Sequence, residues 1–389
     1  MINLAIIDSR PNIYKVGIWK ELAKSKKIKS HVYFLSDAGI KNEFFDKDFN
    51  SYRKSDAWFL NDFTFSFPRN YSIFSNQFFM FITPRISLDI LMRKHDVILV
   101  HGYNYFMYLF SMLLAKISGV KVIFRGEAVL RGNENENSVK NFVKKYYIKF
   151  IFKLSDVVMY SCSGNRQYFE HYNVDISKLY PLPCAVDNKY YSSEYTKFHP
   201  KTESIKNELS INKNDFIIIF LARFTKRKRA LDLLDAISKI DHSDITILFV
   251  GDGPELENMK DFSSKNNIKT IYTGFKEQRE ISKYYTISDL CVIVSDYDPS
   301  PKVMNEAMNF KTPVIVTSVI GTAYDLVEDD HNGFILKLGD IDSLSKKIDY
   351  LNKNRDIKNK MSENSLAVIN KWNYEKDVYW IERVVEIIK

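Results

Sequence analysis

Ten short apolar runs, separated by segments of helical periodicity, leave this chain very few architectures. INLAIID (2–8), SHVYFLS (30–36), DVILVH (96–101), VKVIFRG (120–126) and DVVMYS (156–161) fall in the first half. DFIIIFLA (215–222), ITILFVG (245–251), KTIYTG (269–274), LCVIVS (290–295) and TPVIVT (312–317) fall in the second. The runs are apolar throughout rather than alternating, so they read as strands of parallel sheets covered on both faces. Segments such as 17–25 and 231–240 carry the helical spacing of crossover helices. A chain of 389 residues exceeds what one core of about 250–300 residues holds. The polar stretch 187–215 interrupts the alternation and reads as a domain linker. The expectation is α/β: two Rossmann-like doubly wound domains facing across a cleft, 1–198 and 199–372. A closing helix over 373–389 is expected to pack back on the first domain. Ligands of such sheets bind beyond the carboxyl ends of the strands.

Composition excludes little and suggests a compartment. A net charge of +8 permits contact with anionic lipid or nucleic acid but is too diffuse to require either. Three cysteines, Cys162, Cys184 and Cys291, sit near apolar runs and match no zinc spacing, so buried free thiols in a reducing compartment are expected. The first residues lack the basic start and apolar length of a signal peptide. YFMYLFSMLLAKI (105–117) is shorter than the roughly 20 residues of a membrane span, and reads as a buried helix. These features point to a cytoplasmic protein that visits the inner face of the membrane.

Two stretches admit two readings each. The aromatic-crowded segment 57–85 is either core with a folded-over loop or a platform for a sugar or lipid acceptor. The segment 138–154 reads as a helix with Lys145, Lys149 and Lys153 at i, i+4 and i+8 beside Phe142 and Tyr146. That face is either a solvated lysine stripe or a surface for anionic lipid.

The chemistry concentrates in the second half. FIIIFLARFTKRKRALDLL (216–234) runs from a buried strand into five cations, Arg223, Lys226, Arg227, Lys228 and Arg229. Arg223 at the strand end and Lys228 before the next helix are placed to clamp a diphosphate, the guanidinium bidentately and the ammonium as a point charge. Lys226, Arg227 and Arg229 are expected to face solvent. In SDYDPSPKVMNEAMNF (295–310), Ser300 reads as a helix N-cap with Pro301 in the first turn. The N–H groups of Lys302 and Val303 would then form an anion site. Glu306, one turn on from Lys302, is either a solvated carboxylate or an acceptor for the two hydroxyls of a ribose.

These residues resemble the donor domain of the GT-B glycosyltransferases, the retaining family 4 group in particular. The segment ARFTKRKR keeps Arg223 and Lys228 of the family's G-R-L-x3-K-G. GDGP spans Gly251 to Pro254, and Gly274–Phe275–Lys276 stands at the next strand end. Asp298, seven residues and Glu306 precede AMNFKTPVI, in the pattern E-x7-E. GTAYDLVEDDHNGFI (321–335) resembles the closing family segment.

The resemblance implies a metal-independent transferase with no cofactor beyond its co-substrate, a nucleotide-diphosphate sugar with UDP favoured. A hexose or N-acetylhexosamine would pass with retention to a hydroxyl of a glycan or lipid-linked glycan, in cell-surface polysaccharide or lipopolysaccharide assembly. It places Arg223, Lys228 and Asp298 at the reacting centre. Glu306, Gly253, Gly274, Phe275, Ser300, Pro301, Lys302 and Val303 would bind the donor. In the first half the resemblance covers Gly17 after the first strand, His101 in DVILVHGYN, and Arg125 in VKVIFRGEA, where the family has a histidine. Arginine is no base, so Arg125 would act electrostatically, with Glu127 meeting an acceptor hydroxyl. The rivals are a GT-B epimerase or phosphorylase, a non-catalytic nucleotide-sugar sensor, and a nucleic-acid binder using TKRKR. The last lacks any helix-turn-helix, RNP or zinc signature, so no nucleic-acid partner is expected.

Overall fold

A computed structural model of the chain describes residues 1–38, 40, 44–46, 51–53, 59–74, 76–130 and 139–389. Ala57, Trp58 and Ser75 of the aromatic segment, and Ser138, lie outside the described residues. The chain divides into two compact units, Met1–Ala185 with Tyr374–Lys389, and Val186–Asn373.

In the first unit, β1 (Ile2–Asp8), β2 (Ile28–Phe34), β5 (Phe65–Ser66), β6 (Val97–His101), β7 (Lys121–Gly126), β8 (Val157–Tyr160) and β9 (Leu179–Pro181) form one sheet. Their order is β5-β2-β1-β6-β7-β8-β9, and every pairing is parallel. A short antiparallel pair, β3 (Phe44–Asp46) with β4 (Ser51–Arg53), stands apart from it. The period-two geometry of a strand sends neighbouring residues to opposite faces. Ala5 and Ile7 therefore join one core, with Met112, Ile148 and Phe169 from three helices. Leu4 and Ile6 join the other, with Trp19 of helix Ile13–Leu22 and Val384 and Val385 of helix Tyr374–Ile388.

The second unit contains β10 (Phe216–Leu221), β11 (Ile245–Val250), β12 (Thr270–Tyr272), β13 (Leu290–Ile293), β14 (Val314–Thr317) and β15 (Gly333–Leu336). The order is β12-β11-β10-β13-β14-β15, again parallel throughout. Both sheets thus reverse their winding direction once, beside β1 in the first and beside β10 in the second, the position where doubly wound sheets bind ligands.

Two segments differ from the sequence expectation. Residues 187–215 are no loose linker. They form helices Asn188–Phe198 and Thr202–Glu208, within the second unit, whose boundary falls at Val186. The stretch is polar because only a narrow edge is covered; Tyr191, Glu194, Ile205, Ile211 and Asp215 are its buried residues. The aromatic segment splits in two. Phe63, Phe65 and Phe67 pack around Phe34 at ring centroid distances of 6.5, 6.2 and 5.6 Å and extend the core. Around residues 71–80, by contrast, Tyr71, Ile73, Phe74, Phe79 and Met80 are exposed.

Candidate active site

At the carboxyl edge of the second sheet three loops are laced together. The loop after β10 and the loop after β13 meet where the winding reverses. Asp296 N–H donates to Arg227 O at 3.0 Å. The Arg227 guanidinium donates to Tyr297 O, and Lys228 Nζ reaches Asp298 Oδ2 at 2.6 Å. Arg227 therefore holds the neighbouring loop, and Arg229 pairs with Asp232 at 2.6 Å; of the three cations expected to face solvent, Lys226 lacks such a role. Arg229 adopts a left-handed conformation, φ 55°, between the 3-10 turn Lys226–Lys228 and helix Ala230–Ser238. Arg223 is half-buried at the strand end, next to the fully buried Phe224.

The third loop, GDGP, requires its glycines. Gly251 has φ 140° and a Cβ there would lie 1.9 Å from Ala222 O; Gly253 has φ 157° and would meet Phe224 O at 2.4 Å. Only glycine lets this backbone approach so closely, and Phe224 N–H then donates to Asp252 O at 2.8 Å. Gly274, φ 71°, faces open space, and Phe275 beside it is exposed.

The helix after β13 spans Lys302–Asn309 with Pro301, not Ser300, at the N-cap position. Pro301 has ψ 116°, an extended value, so the helix begins one residue later than the sequence suggests. No side chain caps the helix; Ser300 Oγ instead lies 3.3 Å from Lys302 Nζ. The first-turn N–H groups of Lys302 and Val303 still sit at the helix start, where α-helical geometry supplies no intrahelical partner. Asp298 is anchored on its other side by its carbonyl, which accepts from Gly321 N–H at 3.0 Å.

Glu306 is not a solvated carboxylate. It is 1% exposed. Its Oε1 accepts from the Tyr191 hydroxyl at 2.8 Å and Gln278 Nε2 at 2.9 Å, and its Oε2 from the Tyr285 hydroxyl at 2.8 Å. Burying this charge is tolerable because hydroxyl and amide donors satisfy it. Sequence reasoning missed Tyr191, Gln278 and Tyr285. The first lay in the presumed linker, and none belongs to a motif.

The first unit presents a second polar cluster, at the carboxyl ends of β1, β6 and β7. Arg125 is fully buried, and its Nη1 donates to His101 Nε2 at 2.6 Å and to Glu127, while Nη2 lies 2.9 Å from Cys184 Sγ and 3.4 Å from Leu182 O. Arginine only donates, so His101 Nε2 is the acceptor and the ring proton belongs on Nδ1. That nitrogen lies 3.5 Å from Asp8 Oδ2, and Asp8 is paired with Lys15 Nζ at 3.1 Å. Burial opposes the Arg125 charge, but Cys184 and Glu127 outweigh it and hold its pKa above the ordinary value. Gly17 lies within helix Ile13–Leu22. A Cβ on it would lie 2.3 Å from the Tyr374 ring, so the glycine admits the helix Tyr374–Ile388 against helix Ile13–Leu22. None of the three cysteines forms a disulfide, and all three are buried.

A pH dependence of stability follows from His101. Burial, then the charges of Lys15 and Arg125, push its pKa well below 6.5, with Glu127 the opposing influence. The unfolded chain protonates this histidine near pH 6.5 whereas the folded one does not. Stability is therefore expected to fall as pH drops below about 6.5, by up to about 1.4 kcal/mol per pH unit from this residue. Denaturant unfolding between about pH 7 and pH 5 measures the slope, and His101→Gln should flatten it. An unchanged slope in that variant assigns the dependence elsewhere.

With the geometry described, known proteins supply the comparison. Residues 201–367 match the family model described as Glycosyl transferases group 1. Over 204 residues, 51% of the chain, it is 29% identical to the alpha-monoglucosyldiacylglycerol synthase of Acholeplasma laidlawii. Over 242 residues, 61% of the chain, it is 26% identical to the N-acetyl-alpha-D-glucosaminyl L-malate synthase of Bacillus anthracis. The matched stretches span 49% and 61% of those proteins' own length. In fold it is similar to Anabaena Alr3699/HepE, solved in complex with UDP, with a TM-score of 0.72 and 15% identity, covering 99% of this chain and 100% of that one. The two Rossmann-like units are those of the GT-B fold.

Proposed function

We propose that this chain, a member of the glycosyl transferases group 1 family through residues 201–367, is a retaining glycosyltransferase. It transfers a hexose or N-acetylhexosamine from a UDP-sugar to a hydroxyl of a glycan or lipid-linked glycan, as in cell-surface polysaccharide or lipopolysaccharide assembly. The single observation that carries this reading is the convergence of two cation-bearing elements at the β10–β13 switch. The loop holding Arg223 and Lys228 is bonded to the loop that leads into helix Lys302–Asn309. When the glycosidic bond breaks, negative charge collects on the departing diphosphate while the sugar carbon becomes oxocarbenium-like. Fixed cations and helix N–H groups aimed at that charge stabilise it without solvent reorganisation. Metal independence is part of the same proposal, since the side-chain cations take the role a divalent ion would otherwise fill.

Several assignments belong to this reading. Arg223 and Lys228 meet the diphosphate, and Ser300, Pro301, Lys302 and Val303 border it. Gly253 keeps the GDGP loop close. Gly274 and Phe275 flank the base, where the open space beside Gly274 supports a planar group. Asp298 shares Lys228 with the donor. Glu306 reaches the ribose by exchanging a hydrogen bond with Tyr191 or Gln278. In the first unit Glu127, its side chain 42% exposed, is assigned to the acceptor hydroxyl, positioned by the buried Arg125 and His101. Names among the matched proteins support the donor class: one relative is a UDP-Gal-dependent galactosyltransferase of Escherichia coli, and the Anabaena protein holds UDP.

Thermal unfolding of the protein with UDP-, GDP-, ADP- and CMP-sugars tests the proposal. A UDP-sugar at 100 times its Kd is expected to stabilise by about 2.7 kcal/mol. Stabilisation by none of the four, or epimerised sugar formed from donor alone, overturns it.

A further inference from the structure

We propose that one face of the first unit is a docking surface for an anionic bilayer. The inference rests on surface chemistry and stands apart from the donor site. Helix Val139–Leu154 exposes Phe142, Val143, Tyr146 and Phe150, between 44% and 61%. At 3.6 residues per turn these four share one ridge of the helix. Lys145, Lys149 and Lys153 follow one another at four-residue steps along one flank of that ridge, and no carboxylate among the described residues pairs with them.

The opposite flank continues into the loop at 71–80. Tyr147 contacts Phe78 at 6.1 Å between ring centroids; Phe78 leads to Phe79 at 5.0 Å, and Phe79 to Phe74 at 5.7 Å. In that loop Ile73 is 91% exposed and Phe74 53%, and Arg69 lies over the Tyr71 ring at 5.0 Å. Phe79 also rests on Phe106, which stacks on Phe110 at 5.3 Å, so the loop is braced from beneath. The result is a continuous apolar surface drawn from two elements and edged with cations.

Isolated exposed hydrophobes need no explanation, but a contiguous aromatic patch does. Two partners could cover it, a second copy of the chain or a lipid surface, and charge decides between them. A self-association across this face would bring the unpaired lysine stripe toward its own like charges. An anionic bilayer instead takes aromatic side chains at its headgroup boundary and attracts each lysine beside it. The surface alone does not span: among the described residues no helix is long and apolar enough to cross a membrane.

Vesicle flotation with the full chain tests this, using phosphatidylcholine alone and an equimolar mixture with phosphatidylglycerol. Binding is expected only to the anionic vesicles and should weaken as salt is raised. The triple variant K145E/K149E/K153E should lose at least about 100-fold in partitioning, which is about 3 kcal/mol at about 1.4 kcal/mol per tenfold. F74S/F79S/F142S, with every charge kept, should also weaken binding while its unfolding temperature stays at the wild-type value. Salt-insensitive binding, equal binding by the charge variant, or no binding to either vesicle overturns the proposal. So does sedimentation showing a lipid-independent dimer that F74S/F79S/F142S dissociates, because the face would then be covered by a second copy. Flotation uses no sugar donor, so its failure leaves the transferase reading untouched.

Discussion

Lys228→Ala is expected to lower turnover of the best UDP-sugar by roughly 10²–10³-fold, the range seen when one fixed donor to a developing negative charge is removed. The ammonium is held in place before any substrate arrives. Its 2.6 Å contact with Asp298 ties it across the switch, and both side chains are mostly buried, at 16% and 17% exposure. Charge held rigidly in a partly desolvated place acts more strongly than charge on a free side chain. A structural role would show a different signature. If the pair only laces two loops, Lys228→Ala would lower stability and activity together, and Asp298→Asn would reproduce both effects. The expected pattern is a small change in unfolding temperature with a collapse of kcat, and donor affinity reduced far less. Wild-type kcat in Lys228→Ala would remove this residue from the mechanism.

Arg125→Ala is expected to destabilise the first unit by about 3–5 kcal/mol, the usual loss when one member of a buried charged network is deleted. The deletion strips the donor from His101 Nε2 and from Leu182 O, both out of contact with water, and leaves a cavity the size of a guanidinium and its stem. Glu127 loses less, since its side chain reaches solvent. Calorimetry should show the transition of the unit Met1–Ala185 with Tyr374–Lys389 falling by roughly 10 °C, with that of Val186–Asn373 unmoved. Arg125→Lys should recover little, because an ammonium cannot reproduce the planar fork that touches four neighbours. A fully stable Arg125→Ala protein would mean the guanidinium is held at a cost, for function alone.

Much of the architecture was legible in residues. Ten apolar runs of six to eight residues became strands because such hydrophobicity has few other uses in a chain this rich in helical spacing. The strands not foreseen, β5, β9 and β15 among them, are two to four residues long. Motifs with fixed backbone demands were also legible. GDGP was matched by its spacing, and the structure gives Gly251 and Gly253 positive φ and close backbone approach. The resemblance to group 1 transferases rested on such local spacings, and the match over residues 201–367 falls on the same half.

The site's wiring was not legible, and its errors share one cause. Tyr191 lies 115 positions from Glu306, and Lys228 lies 70 from Asp298. Pairings that distant carry no periodic signal in a single sequence. For that reason residues 187–215 read as a linker, and Tyr191, Gln278 and Tyr285 were not foreseen around Glu306. The Tyr374 ring packed against Gly17 was likewise unforeseen.

The sequence by itself determined the class of fold, the strands and the backbone shape of the glycine loops, because each depends on neighbours within a few residues. Only the tertiary structure decided which side chains satisfy which buried charges, because a buried ionic group takes its partner from whatever the packing of separate elements brings within about 3 Å.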